Sequence, residues 1–168
     1  MFNFFKKKAP VLEPVNCADN EIVAPADGEL IDIATVSDEM FAEQMLGKSI
    51  AFKFSGDSAD ICAPASGELT AIFPTGHAFG ITMSNGAELL IHIGIDTVNE
   101  QGNGFKVAGK KQGDKVRAGD LIVTVDQKKL SAKYDMSTMV IVTNPNDLEV
   151  VFDEPKAVKR GTVVGKIG

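Results

Sequence analysis

A seven-residue segment that occurs twice constrains the fold of this chain more than any other feature of the sequence. Residues 24–30 (Ala-Pro-Ala-Asp-Gly-Glu-Leu) return 39 residues later as residues 63–69 (Ala-Pro-Ala-Ser-Gly-Glu-Leu). Each copy places a proline and a glycine before apolar residues, a pattern typical of a tight turn that leads into a strand. Two copies are too few for a solenoid. The repeat therefore predicts a duplicated turn-and-strand unit, from which pseudo-twofold β-sandwiches are built.

Short segments rich in Ile, Val, Phe and Thr lie between turn residues along the rest of the chain. The predicted strands are residues 49–54, 80–84, 88–95, 121–125, 139–142 and 162–167. Helix is expected only locally, at residues 38–45 and 127–133. Short strands at this spacing predict an all-β sandwich or barrel.

The first 20 residues differ in pattern from the rest of the chain. Pro10 and Pro14 favour extended backbone over helix, so we expect residues 1–20 to be a flexible N-terminal tail and residues 21–168 to be one folded domain. The first eight residues place aromatic side chains before three lysines, the reverse of a secretory signal. A segment this short would bind an anionic membrane surface only weakly.

Charge and cysteine usage exclude several classes of protein. The net charge of −6 would repel a nucleic-acid backbone, so nucleic acid is not an expected partner. Cys17 and Cys62 form neither a CxxC pair nor a metal-ligand spacing. No disulfide framework is implied, and we expect a cytoplasmic protein with reduced thiols and no bound cofactor.

The chain contains two histidines, and the residues between them predict their relative position. Asn85-Gly86 between apolar segments is typical of a two-residue type I′ hairpin, which pairs Ser84 with Ala87. If that register continues, His92 lies opposite Phe79, and Gly94, which has no side chain, lies opposite His77. The two histidines then share one face of the sheet as diagonal neighbours.

Alternation along the second strand indicates which face this is. Leu89, Ile91 and Ile93 point toward the core, so His92 and its neighbour Leu90 point outward. Repulsion between two protonated rings and partial burial both favour a neutral imidazole near pH 7, and a nucleophilic nitrogen must be neutral. One ring could then attack phosphorus while its neighbour donates a hydrogen bond to phosphoryl oxygens. Thr75 could orient the ring of His77 through its hydroxyl.

The residues alone leave other functions open. The histidines could be ordinary solvated surface groups. With a carboxylate such as Asp96, or with a ligand from a partner, they could bind zinc, although no His-x-His or HExxH pattern is present. The sequence contains neither the nucleophile elbow that would indicate a hydrolase nor the GxGxxG or Walker pattern that would indicate a nucleotide site. The alternative function is thus a zinc-binding or peptidase-like β-sandwich domain.

Around both histidines the sequence resembles the glucose-type enzyme IIA family of the bacterial phosphoenolpyruvate-dependent sugar phosphotransferase system. The resemblance extends from Glu21 to the carboxyl terminus, and its most specific part is His-x-Gly-Ile-Asp-Thr-Val at residues 92–98. The other matching segments are residues 22–25, 28–29, 41–43, 63–64, 75–79 and 88–91. The resemblance implies an antiparallel β-sandwich with a duplicated hybrid motif and only short helical segments.

The resemblance also implies a function: a phosphocarrier that accepts a phosphoryl group from phospho-HPr on His92 and passes it to a cysteine of a IIB domain of a sugar permease. His77 then matches the assisting histidine, Thr75 the residue that orients it, and Gly94 the residue whose carbonyl fixes the tautomer of His92. Regulatory protein partners are possible in such a family. The residues that match its partner-binding face are Phe41, Asp38, Asp96 and Val98, and the predicted register adds Phe79.

Overall fold

An eight-stranded antiparallel sheet is the framework of the computed structural model, which describes residues 12–168. The strands are β1 (Glu21–Val23), β2 (Gly28–Ile31), β3 (Lys48–Phe54), β4 (Ser58–Cys62), β5 (Gly67–Ile72), β6 (Ala78–Met83), β7 (Glu88–Ile93), β8 (Phe105–Val107), β9 (Lys115–Val116), β10 (Leu121–Asp126), β11 (Thr138–Asn144), β12 (Val150–Phe152), β13 (Lys156–Val158) and β14 (Val163–Ile167). Two short helices, α1 (Glu39–Ala42) and α2 (Gln127–Ser131), and two 3₁₀ turns, Ile33–Thr35 and Thr97–Glu100, lie between them. The predicted strands and both predicted helices are confirmed.

The large sheet has the strand order β13-β2-β3-β11-β7-β6-β5-β9, and two three-stranded sheets, β1-β14-β12 and β4-β10-β8, accompany it. The main core draws buried side chains from all three sheets, including Ile22, Phe52, Ile81, Ile91 and Val123. Apolar alternation on each strand therefore buries one face of every sheet in a common interior. The fold is an antiparallel β-sandwich, as the sequence predicted.

The two copies of the repeated segment lie against each other. Val23 N–H donates to the carbonyl of Pro64 at 2.7 Å, and Cys62 N–H donates to the carbonyl of Pro25 at 3.0 Å. These bonds are reciprocal, because each residue of one pair lies 39 positions from its counterpart in the other. The predicted duplicated unit is confirmed, and its copies lead into β2 and β5.

A second apolar cluster covers the opposite face of the large sheet. Ile33, Val36 and Phe41, from the segment between β2 and β3, pack there on Met139 and Ile141 of β11. Asp38 starts α1 by accepting hydrogen bonds from the N–H groups of Met40 and Phe41, as an N-cap residue does. β7 is therefore enclosed on both faces near His92.

The predicted hairpin register between β6 and β7 is wrong by one residue. Met83 N–H donates to Ala87 O at 2.8 Å and Gly86 N–H to Met83 O at 2.9 Å, so the loop has three residues, of which only Gly86 has a positive φ. Asn85 is the physical reason, because its side chain accepts from Ala87 N–H and donates to the carbonyl of Ile167. A type I′ turn is not formed.

The corrected register changes two neighbours of the histidines. His92 lies opposite Ala78, whereas Phe79 lies opposite Ile91 and is fully buried in the main core. Ile93, rather than Gly94, lies opposite His77, since Ile93 N–H donates to the carbonyl of His77 at 2.7 Å. Phe79 therefore points away from His92 and is not available to a partner.

The N-terminal segment is described only from residue 12. There, one guanidinium nitrogen of Arg160 donates to the carbonyls of Glu13 and Gly119, at 2.7 and 2.8 Å. The membrane contact expected of residues 1–8 lies outside the described residues, and the division into a tail and a domain at residue 21 stays a prediction. Within residues 12–168, no helix is long and apolar enough to cross a membrane.

Candidate functional site

The two histidines lie side by side. Their ring centroids are 5.4 Å apart, and the rings meet edge to face at 79°. His92 extends from β7, and His77 precedes β6 by one residue. His77 is buried, with 4% of its surface exposed, while His92 is partly exposed. The two rings therefore border a common space, although the register that predicted this was wrong.

His77 reaches this space because it lies outside the regular strand. Gly76 has a φ of 76°, and a Cβ there would lie 2.9 Å from the Cβ of Phe105. Only glycine fits this turn without strain. Side-chain alternation of β6 therefore stops at Ala78 and does not set the direction of His77.

The tautomer of His92 is fixed by the residue two positions later. Nδ1 of His92 lies 2.9 Å from the carbonyl of Gly94. Because a carbonyl can only accept, Nδ1 of the neutral ring carries the proton and donates it in this bond. Gly94 has a φ of 78°, and a Cβ there would lie 2.5 Å from Cγ2 of Thr97 and 3.0 Å from Sδ of Met136. The missing side chain thus makes room for Thr97 and Met136, and the Nε2 atom of His92 keeps its lone pair.

The ring of His77, like that of His92, is held through its Nδ1 atom. Oγ1 of Thr75 lies 2.5 Å from Nδ1 of His77. When the threonine hydroxyl donates this bond, the proton of the neutral ring is on Nε2 and can be donated to a third group. Within residues 12–168, the hydrogen bonds of both rings use Nδ1, so one Nε2 can attack and the other can donate.

Both histidines are held neutral by their surroundings. Burial lowers the pKa of His77, and a positive charge on His92 would lower it further. Burial also lowers the pKa of His92, against the Gly94 carbonyl and the carboxylates of Asp38 and Asp96, which raise it. At neutral pH the pair is therefore uncharged, which leaves the Nε2 lone pair of His92 available as a nucleophile.

Aromatic rings flank the pair on both sides. The ring of Phe41 lies 5.0 Å from that of His92, and the ring of Phe73 lies 5.2 Å from that of His77, edge to face. Phe41 is 6% exposed, so it supports His92 from below, whereas Phe73 is 43% exposed. Sequence reasoning missed Phe73 as a site residue; its position in a Pro-Thr-Gly loop two residues before Thr75 was the available signal.

Exposed apolar and acidic side chains occur on the elements that carry the site. Met40 on α1 is 40% exposed and Val98 in the second 3₁₀ turn is 50% exposed. Asp96 is an exposed residue with a left-handed φ of 61° just before that turn. The carboxylate of Asp38 is partly exposed although it caps α1. Such a mixture of apolar surface and rim charge is typical of a protein-docking face.

The predicted site residues are largely brought together. His77, His92, Thr75, Gly94 and Phe41 are linked by the contacts above, and Asp38 and Asp96 act on the charge of His92. Phe79 is the exception, because it belongs to the main core.

The histidine pair brings together few metal-ligand groups. Within residues 12–168, no group of three or more His, Cys, Asp or Glu side chains is placed to hold a metal ion. A cleft of about 520 Å³ is lined by Lys53, Gln127 and Tyr134 among others and by residues 135–137, but by neither histidine. The histidine pair therefore lies outside this cleft.

The chain is similar to known proteins over most of its length. The family model described as the phosphoenolpyruvate-dependent sugar phosphotransferase system, EIIA 1, matches residues 20–148. The PTS system glucose-specific EIIA component of Mycoplasma capricolum is 42% identical over 145 residues, which are 86% of this chain and 92% of that protein. The solved structure of glucose permease IIA from Mycoplasma capricolum superposes with a TM-score of 0.78 at 41% identity, and covers 86% of this chain and 93% of that one.

A longer relative contains a similar segment. The PTS system beta-glucoside-specific EIIBCA component of Halalkalibacterium halodurans is 45% identical over 133 residues, which are 79% of this chain but 20% of that protein. The segment that resembles this chain is therefore one part of a larger polypeptide there.

Proposed function

This chain belongs to the EIIA family of the phosphoenolpyruvate-dependent sugar phosphotransferase system and is a phosphocarrier of that system, and on that premise we propose that Nε2 of His92 is the atom that carries the phosphoryl group. The observation that supports this most directly is the bond from His92 Nδ1–H to the carbonyl of Gly94. It directs the lone pair of the neutral ring to Nε2, beside His77.

The proposed step is a transfer between two nitrogens. Nε2 of His92 attacks the phosphorus of a phosphohistidine, the N–P bond of the donor breaks, and its electrons return to the donor imidazole. The phosphoryl group then passes to the sulfur of a cysteine thiolate, and Nε2 regains its lone pair. His92 needs no proton change at Nδ1 in either step, because that proton stays with Gly94.

His77 has the assisting role in this proposal. Thr75 orients its ring, and its Nε2–H donates to a phosphoryl oxygen as charge develops during transfer. A buried, neutral donor suits this task, since it needs no rearrangement of water when the partner docks.

The proposed donor is the phosphohistidine of HPr, and the proposed acceptor is a cysteine of a IIB domain. The acceptor is supported by the EIIBCA relative, whose name joins EIIA with B and C components in one chain. Docking would use the exposed apolar side chains of Met40, Phe73 and Val98, while Asp38 and Asp96 would pair with cations on a partner. Phe41 would support this face from beneath.

Phosphorylation in vitro tests the residue assignment. The protein is incubated with labelled phosphoenolpyruvate, enzyme I and HPr, and the label should be acid-labile and base-stable. We expect His92→Ala to abolish labelling, and His77→Ala to accept label but pass it on slowly. Label retained by His92→Ala, or lost only in His77→Ala, would show that the roles are assigned wrongly.

The sugar served is a separate question. The relatives carry glucose and beta-glucoside in their names, so isolated IIB domains of both kinds are the natural acceptors to compare. We expect the labelled protein to transfer its phosphoryl group to at least one of them, at a rate that falls in His77→Ala.

The free thiols of Cys17 and Cys62 suit a reducing compartment, and we propose the cytoplasm.

The alternative function, a zinc-binding or peptidase-like domain, is not supported by these relatives. The two imidazoles also lack a third ligand among residues 12–168. Metal analysis of the purified protein checks the point directly, since stoichiometric zinc together with an absence of labelling would favour that alternative.

A further inference from the structure

One carboxylate, that of Asp135, binds two separate chain segments near His92. Its Oδ1 accepts from the N–H and the hydroxyl of Ser137, at 2.9 and 2.7 Å. Its Oδ2 accepts from the hydroxyl of Ser37 at 2.9 Å and from Ser37 N–H at 3.4 Å. Although partial burial raises the pKa of Asp135, these hydrogen bonds outweigh it and hold that pKa below its usual value. The group is therefore a charged acceptor at neutral pH, whose hydrogen bonds are stronger than those of a neutral one.

The first segment supports the tautomer of His92. Gly94 N–H donates to the carbonyl of Ser137 at 3.0 Å, and Ile95 N–H donates to the carbonyl of Asp135 at 2.8 Å. Residues 135–137 thus hold the peptide unit that contains the Gly94 carbonyl, the acceptor of His92 Nδ1–H, and the peptide unit before it. Bending of this loop would move that carbonyl.

The second segment supports the ring of His92. Ser37 directly precedes Asp38, which caps α1. α1 carries Phe41, whose ring lies 5.0 Å from that of His92. The bonds between Asp135 and Ser37 join residues 98 positions apart in the sequence, so they fix α1 to the loop that holds Gly94.

We propose that Asp135 is a positioning residue for phosphoryl transfer, which holds the Gly94 carbonyl and the Phe41 ring in register with His92 and so keeps Nε2 as the free nitrogen. The proposal rests on the proposed function of His92, although its first consequence, the tautomer, does not depend on phosphorylation. The hydrogen bonds of the Asp135 carboxylate go to Ser37 and Ser137 and to neither ring. A purely structural role would lower stability without changing the tautomer.

The test combines nitrogen-15 NMR of the histidine rings with transfer kinetics, on the full-length chain. Asp135→Ala removes both links, Ser37→Ala removes the hydroxyl on the α1 side, and Asp135→Asn keeps the shape but replaces an acceptor with a donor. Asp114→Asn is the matched control, because Asp114 also accepts from a turn N–H, that of Lys111, but bridges no segment that contacts His92. Circular dichroism and melting temperature show whether each variant is folded.

For Asp135→Ala we expect a second neutral tautomer of His92, protonated on Nε2, and a fall of about tenfold in kcat/KM for phosphoryl acceptance, a size typical of misplaced reacting groups. Ser37→Ala should keep the tautomer but change the ring-current shift that Phe41 causes at His92. Asp114→Asn should match the wild type in every measurement. If Asp135→Ala does not fold, Asp135→Asn gives the same comparison.

One result would overturn the proposal: a folded Asp135 variant with the wild-type tautomer and a kcat/KM within about twofold of the wild type. A lower melting temperature in that variant would then make Asp135 a structural residue only. By contrast, labelling that persists in His92→Ala would refute the proposed function and leave the tautomer measurement to decide the role of Asp135.

Discussion

The rings of His77 and His92 meet edge to face at 5.4 Å, although the two residues arrive there by different routes. His92 is held by the strand geometry of β7, while His77 is placed by the turn at Gly76, outside β6. Each ring is then oriented through Nδ1 by a partner two residues away, Gly94 for one and Thr75 for the other. Both rings are therefore oriented by the same local device, and in the proposed mechanism one of them attacks and the other donates.

Thr75→Val tests the orientation of His77. The variant keeps the shape of the side chain but removes the hydroxyl 2.5 Å from Nδ1, so we expect phosphoryl transfer to a IIB domain to slow about tenfold or more. Single-turnover transfer from labelled protein measures this. Thr75→Ser should restore the rate, and Thr70→Val, which removes a hydroxyl on β5 that accepts from the hydroxyl of Thr82, should have no effect. An equal loss in Thr70→Val would contradict the orientation role.

Gly94→Ala tests whether the space around the Gly94 carbonyl is filled. A methyl group would meet Thr97 and Met136 and would also adopt a φ of 78°, so we expect a loss of about 2–5 kcal/mol in the free energy of unfolding. Gly109→Ala is the matched control, because Gly109 has a φ of 74° but nothing within 4 Å of a Cβ. It should cost only about 1–2 kcal/mol, from backbone strain alone. Urea unfolding of both variants gives the difference, and equal losses would mean that Thr97 and Met136 yield.

The sequence predicted those parts of the fold that local pattern controls. The repeat at residues 24–30 and 63–69 predicted a duplicated unit, and the reciprocal bonds between its copies confirm it. Apolar alternation from Leu89 to Ile93 identified the core face of β7 correctly. Both features are short-range or nearly repeated in the sequence, so a single sequence contains them in full.

The remaining features depend on contacts between distant residues. The hairpin register failed because the Asn85 side chain, besides accepting from Ala87 N–H in its own turn, donates to the carbonyl of Ile167, 82 residues away. Asp135 was missed because its partner Ser37 lies on another segment, and no local pattern connects them. The histidine pair was predicted from a register that proved wrong, and it forms because His77 lies beyond the strand. The roles assigned to Thr75, Gly94 and the docking residues stay predictions.

Two phenylalanines near the histidines should respond in opposite ways to truncation. Phe73 is 43% exposed beside His77, so Phe73→Ala should change stability by no more than about 0.5 kcal/mol yet weaken partner binding. Phe79 is fully buried in the main core, so Phe79→Ala should cost about 3–5 kcal/mol. Urea unfolding measures the stability of both variants, and the KM for phospho-HPr measures partner binding. If Phe79→Ala left stability intact and raised only KM, the placement of Phe79 in the core would be wrong.

The lowered pKa values of His77 and His92 predict how stability depends on pH. In the unfolded chain both rings take up protons near pH 6.5, whereas in the folded chain burial delays this to lower pH. Between those values the unfolded state binds more protons, so the stability present above about pH 6.5 is lost as the pH falls. Each ring contributes at most about 1.4 kcal/mol per pH unit.

Urea unfolding at pH 8 and pH 5.5 measures this loss, and the double variant His77→Gln/His92→Gln should lose less than the wild type, because glutamine does not titrate. Carboxylates with lowered pKa values, such as Asp135, lose their contribution only at more acidic pH, so they add little within this interval. A wild-type protein as stable at pH 5.5 as at pH 8 would mean that the rings are protonated without cost. In that case the pair would be a charged surface cluster, unable to offer the neutral nitrogen that the transfer requires.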